Sequence, residues 1–134
     1  MATYKWNGTV DGDLTKAANW NLNSVPGVAV PGGSDTAEFD DPINHSPVFG
    51  PLGVSQFIVN DGTLALSFGS ITAGSEIIDG SFDLQGNTNS ITGGLTVGSQ
   101  SAGNADYHLK GGNLSVGGDT IVALSGQGDR KSVV

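Results

Sequence analysis

Two stretches, TLALSFGSITAG (63–74) and SFDLQGNTNSITGG (81–94), can be laid over each other, and their match decides the fold. Thr63-Leu64-Ala65-Leu66 aligns with Ser81-Phe82-Asp83-Leu84 at an offset of 18. Gly69-Ser70-Ile71-Thr72 aligns with Asn89-Ser90-Ile91-Thr92 at an offset of 20. Further on, LTVG (95–98) recurs as LSVG (114–117), and TVGSQSAG (96–103) resembles IVALSGQG (121–128). Each unit is built on short runs of alternating apolar and polar residues, the pattern of half-buried strands. Repeats of roughly 20–25 residues with short strands between glycine turns are what a right-handed parallel β-helix, or β-solenoid, requires. Coils then stack about 4.8 Å apart. The predicted inward columns are Leu64, Leu66 and Phe68, then Phe82 and Leu84, Leu95 and Val97, and Leu114 and Val116. Asn60, Asn87, Asn89 and Asn113 lie near predicted corners, where amide ladders form. An antiparallel β-sandwich is the alternative, and it needs steadier strand lengths and no repeat.

Composition agrees with an all-β chain. Of 134 residues 22 are glycine and five proline, with no Gly-X-Y period, and 37% are apolar. The formal net charge is −8, and before the last six residues the basic residues are Lys5, Lys16 and Lys110. Such a surface repels a phosphate backbone, which argues against nucleic-acid binding. Cysteine is absent, which excludes disulfides and thiolate metal sites. No apolar run approaches the ~18 residues of a membrane span.

Residues 1–50 differ in texture, with both tryptophans, most of the prolines and a dense set of acids. A solenoid end needs a cover over its open strand edges. Residues 1–50 are predicted to supply it, with Tyr4, Trp6, Trp20, Phe39 and Phe49 over the first coil and residues 51–128 forming about three or four coils.

The motifs Trp6-Asn7-Gly8, Asp11-Gly12-Asp13, Ala18-Asn19-Trp20, Val25-Pro26-Gly27 and Asp35-Thr36-Ala37-Glu38-Phe39 resemble the opening module of large bacterial repeat proteins. These include autotransporter-like adhesins, giant surface proteins and some phage particle proteins. The resemblance implies a non-catalytic β-solenoid of an extracellular or cell-surface protein, with a matrix, glycan or host surface as partner. Autotransporters carry a signal peptide, and this chain begins at the motif. That departure points to signal-less export, to a virion protein, or to residues missing upstream.

Little in the sequence suggests chemistry. His45 and His108 have no second ligand at a metal-like spacing, and no G-x-S-x-G elbow occurs. Solenoids that process acidic polysaccharides need basic residues or paired carboxylates, whereas here Lys110 and Asp106 stand nearly alone. The expectation is no enzyme, with a polysaccharide-processing fragment or a phage tail component as alternatives. No cofactor is expected. Calcium is the one ion for which hard oxygens are at hand, with Asp11, Asp13, Asp35, Asp40 and Asp41 as candidate ligands beside Glu38. The competing reading makes these aspartates turn-formers through their own side chains.

The closing DRKSVV (129–134) breaks the pattern, with Arg130 and Lys131 side by side. Its reverse translation can be written GATCGGAAGAGCGTCGTG, which resembles a short-read sequencing adapter. The segment is therefore expected to be non-native, leaving a truncated solenoid whose open end invites end-to-end self-association.

Overall fold

A computed structural model describes residues 1–8, 11–40, 48–99 and 105–122, together with the backbone of 132–133. The opening strands are β1 (Thr3–Trp6), β2 (Trp20–Leu22), β3 (Val25–Pro26), β4 (Thr36–Phe39) and β5 (Val48–Phe49). They are followed by β6 (Leu52–Val59), β7 (Thr63–Phe68), β8 (Ser70–Ile78), β9 (Ser81–Asp83) and β10 (Thr88–Ile91). The last are β11 (Leu95–Val97), β12 (Asp106–His108), β13 (Asn113–Val116), β14 (Thr120–Val122) and β15 (Ser132–Val133). One turn of 3-10 helix, Ala17–Asn19, precedes β2.

The strands form two sheets, and from β4 onward the chain passes back and forth between them, with β10–β11 and β13–β14 as consecutive pairs in the first. The first runs β1-β4-β6-β8-β10-β13 in parallel, with β11 on β8 and β14 on β11. The second runs β5-β7-β9-β12-β15, also in parallel. Among the described residues only β1–β2 and β2–β3 pair antiparallel, at the N-terminal end. The β2–β3 hairpin turns through Asn23 and Ser24, both at positive φ (50° and 67°), the pairing that matches strand twist. An antiparallel sandwich is not what the described strands form.

From β7 onward the passage from a second-sheet strand to the next first-sheet strand is constant. Strand starts fall at 63 and 70, 81 and 88, and 106 and 113. Two of these corners share a conformation, with Gln85-Gly86 at φ 48° and 80° and Lys110-Gly111 at 49° and 84°. Glycine takes that left-handed region without the penalty of a Cβ. The return passage is the variable one. Ser81 lies beside Thr63 and Asp106 beside Ser81, so the extra residues of the later passage fall between Val97 and Asp106.

Register separates what the repeat predicted from what forms. Thr63-Leu64-Ala65 pairs with Ser81-Phe82-Asp83 as expected, and Thr96-Val97 with Ile121-Val122. Ile71, expected opposite Ile91, instead lies beside Asn89, while Ile91 lies beside Ala73. A two-residue slip leaves every side chain on its own face, so alternation is blind to it. LTVG and LSVG do not stack on each other. Leu95–Val97 pairs with β14, whereas Leu114–Val116 pairs with Asn89–Ile91.

The reason is a bend in the first sheet. In β6 the buried positions are Leu52 and Val54, then Phe57 and Val59; in β8 they are Ile71 and Ala73, then Glu76 and Ile78. Parity flips at Ser55 and again at Gly74. In the next layer of the sheet, Gly93 lies between β10 and β11, the two halves of the same bent layer. A Cβ on Gly74 would sit 2.5 Å from the Ser55 carbonyl, and one on Gly93 2.5 Å from the Gly74 carbonyl. The bend brings backbones too close for any side chain.

An aromatic column fills the core from the N-terminal end. Trp6 meets Trp20 edge to face at 5.0 Å, and Trp20 meets Phe39 at 5.6 Å. Phe39–Phe57, Phe57–Phe82 and Phe82–Tyr107 follow at 5.5, 5.4 and 5.2 Å, spacings at which rings attract beyond their area. Tyr4, Trp6, Trp20 and Phe39 are buried, and Phe49 is half-buried. Trp20 also donates its Nε1–H to the Leu14 carbonyl at 3.0 Å. Trp20→Phe would leave that carbonyl unpaired, so urea unfolding should report a loss of about 1–2 kcal/mol.

Phe68 corrects a predicted inward position: it is 59% exposed. Strand β7 buries Leu64, Ala65 and Leu66 in succession, and the register of β5 against β7 shifts at Val48/Phe49. Phe68 is thereby turned outward, where its ring stacks on half-buried Phe49 at 4.9 Å. The backbone of Ser132–Val133 pairs with Asp106 and Tyr107, while the rest of DRKSVV lies outside the described residues.

Candidate functional site

The acidic residues of the N-terminal segment sit in three separate arrangements. Asp11 pairs with Lys16 and accepts hydrogen bonds from the Asn19 amide at 2.9 Å and the Asp13 N–H at 3.0 Å. Lys16 first, then these two donors, hold its carboxyl down at about 2. Asp13 accepts from the Thr15 N–H at 2.9 Å and the Thr15 hydroxyl at 2.6 Å, a side-chain turn. Asp35 ties the N-terminus to the start of β4, accepting from the Ala2 N–H at 2.9 Å and the Gly32 N–H at 3.0 Å. Those donors, Gly32 foremost, lower its pKa. Asp40 pairs with Lys5 at 2.9 Å, with Glu38 3.7 Å from the same ammonium. Asp41 and His45 lie outside the described residues.

Asp11 and Asp13 thus share a loop, Glu38 and Asp40 share a lysine, and Asp35 serves backbone donors. A calcium ion would have to displace these partners. No group of three or more His, Asp or Glu able to hold a metal occurs among the described residues.

Further along, Lys110 pairs with Asp83 at 2.6 Å rather than with its sequence neighbour Asp106. Asp83 is buried, at 8% exposed. Tyr107 is fully buried. The asparagines do not act as one ladder. Asn60 donates to Glu38 at 2.9 Å, Asn87 to the Leu66 carbonyl at 2.7 Å, and Asn89 into the core.

That last bond marks a chemically unusual place among the described residues. Glu76, on the inward face of β8 past the bend, is 1% exposed, between Phe57 of β6 and Leu95 of β11 in the sheet. Asn89 Nδ2 donates to its Oε2 at 2.9 Å and lies 2.5 Å from the Tyr107 hydroxyl. Glu76 Oε1 and Asn89 Oδ1 are buried with no hydrogen-bond partner. Burial drives the Glu76 carboxyl up to about 8, and the Asn89 bond opposes this only in part. The Tyr107 hydroxyl is raised as well, by burial first and by the Glu76 charge second. Sequence alternation gave no reason to look here, because continuing the parity of Ile71 and Ala73 places Glu76 outside. The adjacent Ile77-Ile78 was the available sign, since one of two neighbouring isoleucines on a strand must break such a pattern.

Comparison with protein-family models, curated proteins and solved structures returned no match. The described residues contain no helix long and apolar enough to cross a membrane.

Proposed function

We propose that this chain is a right-handed parallel β-solenoid that serves as a non-catalytic structural or adhesive module of a longer extracellular or surface repeat protein. The carrying observation is the repeated return of the chain to each of two parallel sheets, with a constant corner from the second sheet to the first from β7 onward. Stacking of this kind builds length with little charge, the property of a stalk. The resemblance of the Trp6 to Phe39 motifs to the opening of bacterial adhesins supports the placement outside the cell. The partners of such a module are matrix, glycan or host-surface groups, and the acidic surface disfavours nucleic acid. Strands β13 and β14 end the described first sheet with Ile121 and Val122 exposed, an edge suited to end-to-end association.

The test is to immobilise the purified chain against glycan and matrix-protein arrays and, in parallel, to incubate it with acidic polysaccharides. Saturable binding without turnover is the expected result. Cleavage of a polysaccharide that depends on a mapped side chain would replace this reading with an enzymatic one.

A further inference from the structure

The two buried acids among the described residues, Asp83 and Glu76, are neutralised in different ways. Asp83 has Lys110. Among the described residues, no cation faces Glu76 from any element packed around it. Strands β6, β7, β10 and β11 carry no ionisable side chain. Strand β9 brings only Asp83, and of Asp106, Tyr107 and His108 on β12 it is Tyr107 that is fully buried and joined to this cluster. A carboxylate presents about four acceptor positions, and burying it with one donor is costly. A neutral carboxylic acid fits the same place, with the proton on unpartnered Oε1 and Oε2 accepting from Asn89.

We propose that Glu76 is a proton-binding site built into the core, an acid that the folded coils hold neutral, so that closing β8, β10 and β12 on one another takes up a proton. The linkage has a definite sign. In the unfolded chain the carboxyl titrates near 4.5, and in the folded core near 8. Between these values the folded state binds the extra proton, so stability from this group is complete below the lower value. It declines as pH rises through the window and reaches its floor above the upper one. Within the window the unfolding equilibrium constant should grow roughly tenfold per pH unit.

Glu76→Gln replaces the acid by a neutral isostere and isolates this contribution from every other titrating group. Urea unfolding of the chain and of E76Q at pH 5, 6.5 and 8 should show the two close together at pH 5. By pH 8 the variant should be the more stable by at least a hundredfold in the unfolding constant. Parallel pH profiles for the two proteins would overturn the proposal. Should E76Q fail to fold, infrared spectroscopy of the wild-type chain with 13C-labelled glutamate decides, because Glu38 and Glu76 are its only glutamates. A protonated carboxyl band at pH 6.5 that fades toward pH 9 supports the site, and two ionised carboxylates at pH 6.5 refute it.

Discussion

Replacing Phe57 by alanine is expected to lower the unfolding free energy by about 3–5 kcal/mol, and the melting temperature by roughly 10 °C or more. Phe57 is fully buried and touches the ring before it and the ring after it, Phe39 and Phe82. Its removal therefore opens a void in the middle of the aromatic column rather than at an end. The flanking backbone cannot collapse into that void, since β6 is paired on both sides, with β4 and with β8. Thermal unfolding followed by far-ultraviolet circular dichroism measures the effect. Phe49→Ala, which removes a ring stacked on exposed Phe68, is the comparison and should cost far less. Equal losses at the two positions would show that the column does not carry the core.

Gly93→Val should be nearly as damaging, at about 3 kcal/mol, although Gly93 has no side chain to lose. Its Cβ would stand 2.5 Å from the Gly74 carbonyl oxygen, a contact with backbone that no rotamer relieves. Relief requires the β10–β11 layer to separate from β8, at the expense of the hydrogen bond from the Gly93 N–H to the Gly74 carbonyl at 2.7 Å. Gly53→Ala, in the same sheet, provides the control. A Cβ there meets nothing within 4 Å, so its stability should change by no more than about 0.5 kcal/mol. Urea denaturation of both variants separates a steric requirement at the bend from a general preference for glycine. Similar midpoints for the two would remove the bend from the account.

Much of the fold was legible in particular residues. Leu64 and Leu66, like Phe82 and Leu84, stand at alternate positions, and all four are fully or almost fully buried. The glycines at 69, 86 and 111 lie at positive φ at the corners. Where the reading missed, it missed for reasons of geometry. The repeat set Ile71 against Ile91, but pairing follows the shared spacing from β7 to β8 and from β9 to β10, which puts Asn89 beside Ile71. Phe68 has the right parity for the core, yet three consecutive buried residues before it rotate the strand end outward.

The candidate site was less legible. The acids that stood out, Asp11, Asp13 and Asp35, are held by turn and backbone donors. Glu76 did not stand out, because a lone glutamate in a strand is ordinarily a solvent-facing residue.

The sequence alone determined that this chain is built of short strands, that glycine punctuates them, and that its surface is acidic. These are local properties, set by residue type and by a period of two. Only the tertiary structure decided the inward side of β8 past Gly74, because a bend reverses parity without changing composition. That reversal places a carboxyl group between Phe57 and Leu95, where water cannot reach it and a proton must take the place of a cation.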